Sequence, residues 1–259
     1  MENVITSKSN EKAKYIKSLN DKKGRQKEKA FYLEGVKVVN EVLDKRQAIN
    51  LKFIACSKEI LQNVNGGDKI LKRIENKKNV IYFSQEVFES ISDTKTPQGI
   101  LAVIGIPENE FVDKGKNVLI LDKIQDAGNI GTIIRTADAF GIDTIICTKG
   151  TVDVYSQKVL RSTMGSILRE KIIYTDDISF LKEKGYKLIG TVLDEKSISL
   201  EKFDFSKKCA FVMGNEANGI SDEIKSICNE FVKIPMTGNA ESLNVAVATS
   251  IILYSAYKK

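Results

Sequence analysis

With 259 residues, 42% hydrophobic and 29% charged, the chain has material for one or two cored domains, which excludes a mostly disordered protein. It carries a formal net charge of +6 and contains no histidine, so Ser-His-Asp chemistry, Cys-His chemistry and the common histidine metal sites are excluded. Its four cysteines form no CxxC pair, no apolar run nears the ~18 residues of a membrane span, and the N-terminus (MENVITSKSNEKAKY) lacks an apolar signal core; a cytoplasmic protein without disulfides or metal is expected.

Residues 8–20 place Ala13, Ile16 and Leu19 at spacing three and predict a short helix. Residues 8–29 hold nine basic side chains against three acidic ones, a surplus equal to that of the whole chain. Such a concentration is the footprint of a nucleic-acid contact, centred on Lys22, Lys23, Arg25 and Lys27; a solvated helix face is the competing explanation. A strand at 30–33, a helix at 35–43, a strand at 50–56, a helix at 68–77 and strands at 79–83 and 98–106 follow. Strands separated by helices argue for a small α/β unit over residues 1–107. Residues 108–116 are polar and turn-rich, and are predicted to be a linker.

From residue 117 the pattern is more regular. The stretch NVLILD at 117–122 is apolar nearly throughout, as expected of a strand covered on both faces. Further strands at 143–147, 186–192, 209–213 and 231–234, with helices at 130–140, 156–165, 221–229 and 243–257, predict a parallel sheet with helical crossovers over residues 117–259. The helix at 243–257 is apolar on nearly every side, which favours a subunit interface.

Three clusters stand directly after predicted strands. The first runs from Asn129 through Gly131 to Arg135, where a ligand commonly meets an α/β sheet; Arg135 projects opposite the apolar face, among small neighbours that include Gly131. The second is Gly214-Asn-Glu216-Ala-Asn-Gly219, in which glycines permit close backbone approach and Glu216 accepts hydrogen bonds. The third extends from Ile234 to Ala248 and contains Ser242, which also stands where a helix N-cap would. Neither a GxGxxG strand-helix turn nor a GxxxxGK[ST] loop is present, so a standard dinucleotide fold and a P-loop nucleotidase are not supported.

In this order, NxGxxxRTA (129–137), GxExxG (214–219) and IPMxGxxxSLNVAVA (234–248) resemble the SpoU family of RNA ribose 2′-O-methyltransferases, within the SPOUT superfamily. FYLEGVKVV (31–39) and the later strands of the first half are similar to that family's substrate-binding domain, related in shape to ribosomal protein L30e. The resemblance implies a SPOUT-type parallel sheet with a C-terminal trefoil knot, preceded by a small α/β L30e-like domain. It implies S-adenosylmethionine (SAM) as donor, a ribose 2′-OH as acceptor, and a homodimer with active sites near the subunit interface. Carried over by motif, Asn129, Arg135, Glu216, Ser242 and Asn244 form the active-site group. Gly214, Ile234 and Leu243, with Met236 and Thr191, match positions that hold the cofactor. Lys22, Lys23, Arg25, Lys27 and Arg161 are the expected RNA contacts. An arginine stays protonated, so Arg135 is expected to hold phosphate and polarise the hydroxyl, with the proton passing to phosphate, Ser242 or water. Large-subunit ribosomal RNA is the expected target, since a basic L30e-like domain suits a structured loop. Transfer RNA, or a non-catalytic RNA-binding dimer of the same fold, are the alternatives.

Overall fold

The computed structural model describes residues 3–45, 49–205 and 208–257. The chain divides into two compact units: Met1–Pro107 with Tyr155–Arg161, and Glu108–Val154 with Ser162–Lys259. Residues 155–161 thus leave the second half of the sequence to join the first unit, which linear composition does not reveal.

In the first unit, strands β1 (Val4–Ile5), β2 (Ala30–Glu34), β3 (Leu51–Cys56), β4 (Val80–Phe83) and β5 (Ile100–Gly105) form one sheet, ordered β1-β4-β3-β5-β2. β5 runs antiparallel to β2 and β3, and the remaining pairs are parallel. Helices α1 (Glu11–Ser18), α2 (Lys22–Glu28), α3 (Val36–Asp44), α4 (Lys58–Leu61), α5 (Gly67–Ile74) and α6 (Gln85–Ile91) complete the unit. The predicted stripe Ala13, Ile16 and Leu19 is buried among Tyr32, Phe53 and Phe88. Helix α2 escapes a periodicity argument because KKGRQKE has no apolar stripe; the residue it buries is Arg25. Arg25 is 3% exposed, and its Nη1 donates to the carbonyls of Leu19 (2.7 Å) and Asn20 (2.8 Å). It therefore satisfies acceptors left open at the end of α1, which corrects its expected role as an RNA contact.

In the second unit, strands β6 (Val118–Leu121), β7 (Thr144–Cys147), β8 (Lys171–Tyr174), β9 (Lys187–Thr191), β10 (Ile198–Ser199), β11 (Cys209–Met213) and β12 (Glu230–Lys233) form a sheet ordered β10-β12-β9-β11-β6-β7-β8. Every neighbouring pair is parallel, as covered apolar strands require. Helices α7 (Ala127–Ala139), α9 (Phe180–Glu183), α10 (Asp222–Ile227) and α11 (Val245–Tyr257) connect or flank them, whereas α8 (Gln157–Thr163) belongs to the first unit as far as Arg161. The segment at 108–116 is pinned to this unit. Phe111 packs edge-on against Phe180 and Tyr186, while Asp113 accepts hydrogen bonds from Tyr186 (2.8 Å) and Lys208 (2.9 Å).

Register decides where the site falls. Leu121 lies opposite Met213, Gly190 opposite Val212, and Val232 opposite Thr191. The carboxyl ends of β6, β11, β9 and β12 consequently finish side by side, and the segments carrying the three sequence clusters leave from one edge of the sheet.

Candidate active site

A cavity of about 640 Å³ opens at that edge. Thr191, Gly214, Ile234, Met236 and Leu243 all line it, together with Glu216, Ser242 and Asn244. Parallel register explains the first three, which end or follow β9, β11 and β12. Gly214 is where the loop after β11 turns back on itself: Asn215 and Gly219 exchange backbone hydrogen bonds of 2.9 and 2.8 Å. A Cβ at Gly214 would overlap the backbone at Gly219 and Ile220, so only glycine closes this turn.

Asn129, Glu216 and Asn244 are joined in a hydrogen-bonded chain of fixed polarity. The Asn244 Oδ1 accepts from the Ala246 (2.9 Å) and Val247 (3.3 Å) amides, capping α11. With that oxygen committed, Asn244 Nδ2 donates to Asn129 Oδ1 at 2.9 Å. Asn129 Nδ2 is then the group that faces Glu216 Oε1, at 2.8 Å. Asp126 caps α7 through the Asn129 amide at 2.8 Å and holds the middle of the chain in place. Helix capping thus sets both amide orientations and leaves Glu216 as the terminal acceptor.

Capping by Asn244 also decides the case of Ser242. Its hydroxyl caps nothing; it is exposed, lines the cavity and has no hydrogen-bond partner among the described residues. Arg135 is exposed on α7 and likewise unpaired among the described residues, but it does not line the cavity. Ile130, Ile133, Ile134 and Ala137 are buried as the helical pattern requires. Gly131 is a correction: it is buried, and a Cβ there would overlap the Ser162 hydroxyl, so it serves close packing and not an open face.

In the first unit, Lys22 and Lys23 are exposed and unpaired among the described residues. Lys27 approaches Glu28 loosely, at 3.8 Å. Arg161 is paired with Asp93 at 2.6 Å, so it reaches a phosphate only by exchanging that partner. Two residues that sequence reasoning passed over, Asp122 and Asn215, tie the loops together; single polar side chains after a strand leave no periodic signal.

The cavity fits SAM. Its size is within the ~300–1,000 Å³ of small-molecule sites. Ile234, Met236, Leu243, Val245 and Ile252 supply apolar wall for an adenine and a sulfonium, and Glu216 and Ser242 supply polar atoms on the same lining. Among the described residues no cluster of His, Cys, Asp and Glu could hold a metal ion, and no helix is long and apolar enough to cross a membrane.

Comparison with known proteins agrees with this geometry. The profile of the SpoU rRNA Methylase family matches residues 116–254, and that of the MRM3-like substrate binding domain matches residues 10–102. The chain is 36% identical to the 23S rRNA (guanosine(2553)-2′-O)-methyltransferase RlmP of Bacillus subtilis, over 96% of this chain and 97% of that protein. The AdoMet-bound rRNA methyltransferase from Sinorhizobium meliloti superposes with a TM-score of 0.83 at 28% identity, covering 99% of this chain and 97% of the other. The SpoU methyltransferase AviRb from Streptomyces viridochromogenes shares the fold, with a TM-score of 0.82 at 24% identity, over 96% of this chain and 97% of its own. Motifs, register and likeness over nearly the whole length agree: the chain belongs to the SpoU family of RNA methyltransferases.

Proposed function

We propose that the protein is a cytoplasmic, SAM-dependent enzyme that methylates a ribose 2′-oxygen in large-subunit ribosomal RNA. The observation that carries this reading is the Asn244–Asn129–Glu216 chain beside a cavity of cofactor size, with the Ser242 hydroxyl left free. SAM, when bound, supplies an activated methyl group, so the protein's task is placement of the acceptor oxygen. Thr191, Gly214, Ile234, Met236 and Leu243 hold the cofactor. Glu216, oriented by Asn129, accepts a hydrogen bond from the ribose. Arg135 holds the phosphate next to the reacting nucleotide and polarises its 2′-OH, whose proton leaves to phosphate, Ser242 or water. The ribosomal target draws support from RlmP, a relative of matching length named for 23S rRNA.

Lys22, Lys23 and Lys27, and Arg161 after exchange of Asp93, contact RNA phosphates in this reading. The enzyme works as a homodimer whose interface is the outer face of α11, where Val247, Tyr254 and Tyr257 are 48%, 45% and 69% exposed and Phe140 of α7 packs against both tyrosines. A large apolar face on one helix is the signature of an interaction surface. A trefoil knot in residues 117–259 accords with two separate segments, 214–220 and 234–245, lining one cavity.

The test is incubation with methyl-labelled SAM and, separately, ribosomal RNA and transfer RNA, followed by nucleoside analysis. Label in a 2′-O-methyl nucleoside from large-subunit RNA is expected. Label on a base, in transfer RNA alone, or none at all overturns the reading.

A further inference from the structure

We infer that Asp122, a buried carboxylate to which no motif points, is a positioning residue that holds Asn129 and Glu216 in register; the inference rests on the proposed methyl transfer only for its kinetic test. Asp122 follows β6 and is 1% exposed. A carboxylate this deep is strongly destabilising unless its oxygens are satisfied, so its retention asks for a reason. Both oxygens are used, and by different loops. Oδ1 accepts from the Thr148 hydroxyl after β7 at 2.8 Å, and Oδ2 accepts from the Ser221 amide, at the end of the Gly214–Ile220 loop, at 2.7 Å. The Asp122 amide meanwhile donates to the Met213 carbonyl at 2.9 Å, just before Gly214.

These bonds clamp the Glu216 loop at both ends to the residue that opens the segment to Asn129. The next residue reinforces the clamp. Lys123 adopts φ 57°, a left-handed conformation that is costly for a lysine, its amide donates to the Thr148 hydroxyl at 3.0 Å, and its carbonyl accepts from Asn215 Nδ2 at 2.8 Å. Asp122, Lys123, Thr148, Asn215 and Ser221 therefore form one polar knit beneath the Asn129–Glu216 contact. None of these five residues is placed in the chemistry; together they set the separation of two groups that are. An error of about 1 Å in such a separation costs on the order of 100-fold in rate.

The informative variant is Asp122→Asn, which keeps shape and volume. An amide has one acceptor oxygen. If that oxygen keeps the Ser221 amide, its NH2 faces the Thr148 hydroxyl, which must turn from donor to acceptor while it already accepts from the Lys123 amide. We expect kcat to fall by about 10- to 100-fold while SAM affinity, measured by calorimetry, stays within about threefold. Combined with Asn129→Ala, it should add no further loss, because both changes act through one contact. An independent arm needs no RNA: the side-chain amide NMR signals of Asn129 and Asn244, assigned from Asn129→Ser and Asn244→Ser, should shift in Asp122→Asn. Thr148→Val, which removes the hydroxyl and preserves the shape, should shift the same signals and serves if Asp122→Asn does not fold. Unmoved amide signals overturn the inference, as does a kcat within twofold of the parent. Losses that multiply in the double variant, or that follow SAM affinity alone, make Asp122 structural and overturn it as well. If the parent protein methylates no RNA, the functional proposal falls and the NMR arm decides Asp122 by itself.

Discussion

Arg135 and Glu170 are opposite cases of what one side chain can do. Arg135 is a cation at the surface of α7 with no hydrogen-bond or ion-pair partner among the described residues, so its removal breaks no polar contact there. Arg135→Ala should lower the methyl-transfer rate by at least about 100-fold and leave the thermal midpoint and SAM affinity unchanged. Single-turnover kinetics beside calorimetry checks this; loss of SAM binding would make Arg135 structural. Glu170 is 8% exposed, and its Oε2 finds no hydrogen-bond partner among the described residues. Burial first, then the nearby Asp138 and Asp143 carboxylates, raises its pKa to about 9. The folded protein therefore keeps a proton that the unfolded chain releases above its ordinary range, near 4.5. Stability should be fullest below that range and should fall as pH rises towards 9, by up to about 1.4 kcal/mol per pH unit. Thermal unfolding between pH 6 and 9 should show this slope for the parent and a flatter profile for Glu170→Gln.

At the level of elements, α2 and α11 show where hydrophobic pattern informs and where it stops. The near-uniform apolar character of α11 raises the expectation of a subunit interface, but the sequence does not say which side stays open. Packing against α7 answers that: Val245, Thr249, Ile252 and Leu253 are buried, while Val247, Tyr254 and Tyr257 remain exposed. Replacing Val247 and Tyr254 together by Asp should convert the expected dimer to monomer in sedimentation at micromolar concentration. The monomer should keep the native circular-dichroism spectrum, since neither side chain is buried. A dimer of unchanged stability would place the interface elsewhere. Helix α2, by contrast, is held by one buried arginine and not by a stripe, so only the path of the chain makes it legible.

For the whole molecule, charge separates the two proposed tasks. The surplus of positive charge lies in residues 8–29, whereas each residue lining the cavity lies at or beyond Thr191. Replacing Lys22, Lys23 and Lys27 together by Gln should weaken RNA binding and reduce its salt slope by roughly 0.7–0.9 per lost phosphate contact. SAM affinity should not change. Arg25 must be left intact, because Arg25→Gln would strip the end of α1 of its donor and confuse lost folding with lost binding. A salt titration of RNA affinity for both proteins decides the point; an unchanged slope would make this stretch a solvated face.

The sequence alone determined the alternation of strands and helices, the parallel character of the second sheet and the three clusters at strand ends. Each follows from local spacing, apolar runs or an ordered motif, and these survive without knowledge of any partner. Only tertiary structure decided which polar side chain serves which purpose. Arg25 and Lys23 are both cations of one basic stretch, yet one meets two carbonyls and the other meets solvent. Ser242 and Asn244 both suit a helix cap, and only the start of α11 at Val245 assigns that work to Asn244 and frees the serine. Asp122 carries no signal in the sequence because its partners, Thr148 and Ser221, are 26 and 99 residues away. A hydrogen bond depends on the end point of the whole chain path, and that end point is set by strand register and packing, not by neighbours in sequence.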